Sequence, residues 1–125
     1  MNRFIHFELA TDDLEKTAAF YRDVFGWQIQ KWEGPVTYWI VTSGDQSTPG
    51  INGGLMKTDG EFRGTINTIG VEDIDEVVAK VKANGGEIVI EKDAIPGVGY
   101  QAYIKDNMGI IVGLHQEDPK AGLGG

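Results

Sequence analysis

HFELATDDLEKTAAFYRDVFGWQI, residues 6–29, has a weaker echo in INTIGVEDIDEVVAKVKANGGEIV, residues 66–89, which begins 60 positions later. Direct identity between the two is low, with Asp13/Asp73, Ala19/Ala79 and Gly26/Gly86 among the coincidences. The order of features nevertheless recurs: an apolar strand, an acidic turn, an amphipathic helix, a glycine and a second apolar strand. Self-similarity at a fixed spacing is the mark of a repeated structural unit, so the chain reads as two copies of one unit.

Outward from the first copy, residues 4–9 alternate, placing Ile5, Phe7 and Leu9 on one face of a strand and Phe4, His6 and Glu8 on the other. Asp12 or Asp13 offers a helix N-cap, Glu15 stands three residues after Asp12 as in a capping box, and Leu14, Ala18, Tyr21 and Phe25 follow at helical spacing. Gly26 closes that helix. Residues 27–32 are predicted as a strand, 33–35 as a turn, 36–42 as a strand rich in aromatic and β-branched residues, and 43–50 as a loop. Residues 51–56 make a short strand weakened by Gly53 and Gly54, as happens at a bulge or where something approaches the backbone closely. The polar run 57–64 lacks periodicity and serves as the linker. In the second copy, residues 65–71 form a strand, Asp73 with Glu76 caps a helix faced by Ile74, Val77, Val78 and Val81, and Asn84, Gly85 and Gly86 end it. Strands over 87–90, 100–105 and 110–116 follow, joined by a turn at 95–99 and a hairpin turn at 106–109. The tail 118–125 is expected to fray.

With 125 residues and 41% hydrophobic content the chain supports one core but not two independent ones, so both copies belong to a single domain. Without cysteine there is neither a disulfide framework nor a thiolate metal site. A net charge of −8 with no basic cluster speaks against nucleic acid as a partner. MNRFIHFEL lacks the long apolar run of a signal peptide, and no stretch approaches the roughly 20 apolar residues that span a bilayer, so the expectation is a cytoplasmic protein without membrane association.

The paired βαβββ layout, together with FYRDVFGW (20–27), DIDEVVAKVKANGG (73–86) and IPGVGYQAYIKDNMGIIVGL (95–114), resembles the vicinal oxygen chelate superfamily. Glyoxalase I, bleomycin-resistance proteins and extradiol dioxygenases belong to it. The resemblance spans about residues 3–117 and implies an α+β fold: two tandem βαβββ modules, about 3–56 and 65–117, forming a curved mixed sheet around a cleft with helices outside. It further implies a homodimer, since a curved sheet leaves edges and apolar flanks that symmetric pairing covers.

In the metal-dependent members, four strand positions lining the cleft hold the ion. Carried over one by one, these positions are His6, Gly54 (before Leu55), Ile66 and Gly113 (before Leu114), so three of the four have no donor side chain. The expectation is therefore a degenerate site without metal or cofactor. His6 is either a hydrogen-bonded core or cleft histidine, or a group for binding or proton transfer. Glu8 either joins it as an acid/base partner or points to solvent near the strand end. His115 shares the face of Gly113. A chelate of His6, Glu8 and His115 is disfavoured because two residues along a strand displace a side chain by roughly 6.5 Å, beyond metal-ligand tolerance. Trp32, Tyr38, Trp39, Tyr100 and Tyr103 either pack the sheet or line a stackable pocket. Gly97, Gly99 and Ala102 match a dinucleotide-type spacing but lead into a strand, where no helix N-terminus awaits a pyrophosphate.

The candidate cleft set is His6, Glu8, Trp39, Asn52, Gly54, Met56, Ile66, Thr68, Tyr103, Gly113 and His115, with His6 and Glu8 the catalytic candidates. The resemblance then implies a glyoxalase/bleomycin-resistance-like protein whose cleft takes a small molecule. The alternative is a metal-independent lyase, isomerase or epimerase using His6 and Glu8 for proton transfer; a metal-dependent glyoxalase or dioxygenase is the least favoured.

Overall fold

In the computed structural model, which describes residues 1–123, the chain forms eight strands and two helices, an α+β fold. Among the described residues, 5–66 make one unit and 67–123, joined by 1–4, the other, with the boundary falling inside the strand that opens the second half of the chain.

The first unit contains β1 (Arg3–Thr11), α1 (Leu14–Phe25), β2 (Gln28–Lys31), β3 (Trp39–Thr42) and β4 (Gly53–Lys57), with strand order β2-β3-β4-β1. The helical crossover lets β1 run parallel to β4, pairing Phe7 with Gly53, Glu8 with Gly54 and Ala10 with Met56. α1 starts at Asp13, whose carboxylate accepts the Lys16 N–H at 3.0 Å. Lys16 therefore stands where a capping box needs an acid, and the expected Asp12–Glu15 box does not form. Gly26 ends the helix in the left-handed region at φ 71°, returning its N–H to Arg22 O. The apolar stripe of α1 buries Leu14 and Ala18 against Ile29, Trp39, Val41 and Leu55, with Phe7, Leu9, Tyr21 and Trp27 at the margin. That core lies wholly on one face of the sheet.

β3 is shorter than the sequence suggests. Residues 32–38 form a loop closed by the Trp32 N–H to Tyr38 O at 2.8 Å, because Gly34 and Pro35 interrupt the extended run. After β4, Phe62 is buried and Arg63 meets Asp12 at 3.4 Å.

The second unit runs β5 (Gly64–Gly70), α2 (Ile74–Ala83), β6 (Glu87–Ile95), β7 (Gly99–Lys105) and β8 (Ile111–Glu117), ordered β5-β8-β7-β6. Asp73 caps α2 by accepting the Glu76 N–H at 3.1 Å. Val71, Ile74, Ala102, Ile104 and Leu114 are its core. β6 continues well past residue 90, with irregular pairing to β7 between Ile88 and Asp93 that absorbs the extra length. The tail also departs from expectation over its described part. The N–H groups of Asp118 and Gly97 donate to Val98 O and Ala121 O, both at 2.9 Å, and Ala121 is fully buried. Residues 118–121 are thus docked on the 95–99 turn; Gly124 and Gly125 lie outside the described residues. Among the described residues no helix is long and apolar enough to cross a membrane.

Candidate functional site

Strand alternation sends Phe7 and Leu9 into the α1 core, which leaves His6, Glu8 and Ala10 on the opposite face of β1. Register then places Gly54 beside Glu8 and Met56 beside Ala10 on that same face. Glu8 does not point to solvent: it is only 4% exposed. His6 Nε2 lies 2.7 Å from the Tyr38 hydroxyl. Burial pushes the imidazole below its usual pKa, an effect only partly offset by the nearby Glu8 carboxylate. The ring is accordingly neutral at pH 7, and in its Nδ1-protonated tautomer Nε2 accepts the Tyr38 O–H.

Tyr38 reaches this face from the end of the 32–38 loop. Trp32 meets its ring edge-on at 6.4 Å and itself lies against Gly34. The phenol passes so close to Gly54 that a Cβ there would collide with its hydroxyl. The glycine at this inherited ligand position thus makes room for a side chain of the protein itself.

The second unit repeats the arrangement with different groups. Thr68 pairs with Gly113, and Gly113 with Tyr103, across β5, β8 and β7. A Cβ on Gly113 would lie 2.5 Å from Thr68 Oγ1 and 3.2 Å from Gln101 Nε2. Gln101 pairs with His115 in register, and His115 Nδ1 donates to its Oε1 at 3.1 Å. Ile66, the fourth inherited position, is 2% exposed and offers only hydrocarbon.

The inherited positions do not fit a divalent ion. One imidazole remains, and the two glycines are crowded by a phenol and a threonine hydroxyl, whereas an ion-binding site here needs several carboxylate or imidazole donors. Among the described residues no three His, Cys, Asp or Glu side chains cluster so as to hold a metal.

Two candidates fall elsewhere. Trp39 is 6% exposed and packs in the α1 core, paired with Leu55, so it faces away from His6. Asn52 is exposed and its Oδ1 accepts from the Ser43 N–H at 2.9 Å, closing the loop before β4. Of the aromatic residues left open by sequence, Tyr100 packs in the α2 core, while Tyr103 alternates onto the Gly113 face. Sequence reasoning did not single out Tyr38 as the His6 partner and missed Gln101 altogether. The only available signal for Gln101 was its two-residue spacing from Tyr103.

Residues 3–37 match the family described as bleomycin resistance protein-like N-terminal. A probable lactoylglutathione lyase from Vibrio parahaemolyticus is 33% identical over 98% of this chain and 97% of its own length. A putative glyoxylase, CFP32, from Mycobacterium bovis is 28% identical over 92% of this chain, which spans 46% of that longer relative. Among solved structures, methylmalonyl-CoA epimerase in complex with methylmalonyl-CoA and NH4+ superposes with a TM-score of 0.71 over 97% of this chain and 98% of its own, at 19% identity. At that identity the likeness is one of fold.

Proposed function

Since the chain belongs to the vicinal oxygen chelate superfamily, with a glyoxalase/bleomycin-resistance-like fold, we propose that it binds a small organic molecule on the sheet face bearing His6, Glu8, Gly54, Met56 and Tyr38, without a divalent metal. The observation that carries this reading is the crowding of Gly54 by the Tyr38 hydroxyl: the place of a missing donor is filled by a phenol bonded to the one remaining imidazole. Ile66 of the first unit and Thr68, Tyr103, Gly113 and His115 of the second each remain proposed binding residues of their own unit, whereas Trp39 and Asn52 do not.

The test has two parts. After dialysis, elemental analysis is expected to find well under about 0.1 Zn, Ni, Fe or Mn per chain, and no added ion is expected to confer glyoxalase or ring-cleaving activity. Stoichiometric metal that disappears in His6→Ala would sink the reading. A thermal-shift screen of metabolites and antibiotics is then expected to return a stabilising hit.

A second reading, proton transfer by a metal-independent lyase, isomerase or epimerase, is favoured by one specific feature. His6 is held neutral by burial, its Nε2 able to take a proton relayed through the Tyr38 hydroxyl, and the buried Glu8 carboxylate lies close enough to stabilise the imidazolium that would result. A hit recovered unchanged supports binding alone; a hit converted to product supports this second role.

The same proposal extends to assembly as a homodimer, supported by Phe20, Val24 and Phe25, which are 56%, 56% and 60% exposed on α1. Light scattering is expected to give twice the 13.6 kDa chain mass, and a monomer mass across working concentrations would overturn it.

A further inference from the structure

Thr68 Oγ1 is the one buried side-chain oxygen or nitrogen among the described residues that has no hydrogen-bond partner, in a residue only 1% exposed. A hydroxyl withdrawn from water and left unpaired is costly to the fold, whereas a valine of nearly the same shape would carry no such cost. An unpaired group of this kind calls for a partner supplied from outside the chain.

The surroundings specify what that partner is. Gly113 has no side chain, and both Thr68 Oγ1 and Gln101 Nε2 approach the position its Cβ would occupy, at 2.5 Å and 3.2 Å. Gln101 is oriented by its neighbour: His115 Nδ1, a donor, takes the amide oxygen at 3.1 Å, which turns the NH2 group toward Gly113. A hydroxyl and an amide N–H therefore converge beside bare backbone, and the group that satisfies two such donors is an oxygen acceptor. We propose that Thr68 and Gln101 form an oxygen-binding subsite for the carbonyl or carboxylate of a small ligand, with the half-buried Gln101 side chain shifting to admit it. The second unit would then grip through hydrogen bonds an oxygen for which its inherited Gly113 and Ile66 positions supply no metal ligand. The proposal rests on the reading that the protein binds a small molecule without metal, and adds to it the functional group recognised.

The experiment is a titration of the ¹⁵N-labelled full chain with acetate, which offers only a carboxylate, and acetone, which offers only a carbonyl. At least one is expected to shift the Gln101 side-chain NH2 and Thr68 backbone signals saturably in the range of about 10 mM. Thr68→Val is expected to weaken that binding about ten-fold. Gln101→Glu keeps an acceptor for His115 but replaces the donor with an oxygen, and is expected to abolish it. Circular dichroism checks that both variants fold. If neither probe moves those signals, or if both variants bind as the parent does, the subsite is wrong. A fall in the Thr68→Val melting temperature with an unchanged titration would likewise overturn it, assigning the hydroxyl to a buried water that it already pairs with. A metabolite hit that perturbs His6 and Tyr38 but not Thr68 and Gln101 overturns the subsite while leaving the binding reading intact.

Discussion

Gly53→Ala is expected to destabilise the protein by about 3 kcal/mol, a large share of the stability of a domain this size. A Cβ at Gly53 would run into the carbonyl oxygen of Phe7 and come within 2.7 Å of the Phe7 ring. Phe7 is the register partner of Gly53 between β1 and β4, so the obstructing oxygen belongs to the sheet backbone and cannot rotate away. The ring is also confined, packing at 5.7 Å on Trp27. Relief requires the strands to separate. At the next residue the outcome differs in kind: a Cβ at Gly54 meets the far end of the Tyr38 side chain, which can swing outward. Gly54→Ala is therefore expected to cost less than about 1 kcal/mol, while breaking the His6–Tyr38 hydrogen bond. Urea unfolding of both variants checks the contrast, and a Gly53→Ala protein within about 1 kcal/mol of the parent would refute the register on which the site description depends.

The same two glycines show what the sequence could and could not convey. Strands, helices and their ends were legible because their causes are local: alternation of Ile5, Phe7 and Leu9, helical spacing of Ile74, Val77, Val78 and Val81, the cap at Asp73, the stop at Gly26. Close approach to the backbone at Gly53 and Gly54 was legible too, but not what approaches. Tyr38 is 32 residues from His6 in the chain, and only the fold of the 32–38 loop brings them together. The sequence leaves Glu8 either as an acid/base partner of His6 or as a strand-end residue facing water; its burial depends on packing, which alternation alone does not report. Asn52 belongs to the cleft set on a sequence strand over 51–56, yet β4 begins only at Gly53, and a short amide in a loop finds a local backbone donor first, here on Ser43. Gln101 gave no motif at all, since a lone glutamine in a strand acquires meaning only from its cross-strand partner His115.

Tyr38 and Trp39 are adjacent aromatic residues, and their replacement is expected to separate stability from binding. Trp39→Ala is expected to cost about 3–5 kcal/mol, the usual range for emptying a buried aromatic site. The indole is 6% exposed among Leu14, Ala18, Val41 and Leu55, so the cavity would open beneath α1. Lys31 Nζ, 5.4 Å from the ring centroid, would lose its cation–π contact as well. None of this reaches the face that carries His6, because successive strand residues point to opposite sides of the sheet. Tyr38→Phe keeps the ring and its edge-on contact with Trp32 and removes only the hydroxyl at 2.7 Å from His6 Nε2. Its stability is expected to fall by no more than about 1 kcal/mol, because a hydrogen bond contributes only modestly when water competes for both groups. Its affinity for hits from the thermal-shift screen is nevertheless expected to change, since the hydroxyl both fills the space beside Gly54 and occupies the imidazole nitrogen a ligand would use. Urea midpoints and ligand titrations on the two variants decide the matter. A Trp39→Ala protein of near-parental stability that has lost its ligand would place the indole in the site and return Tyr38 to a packing role.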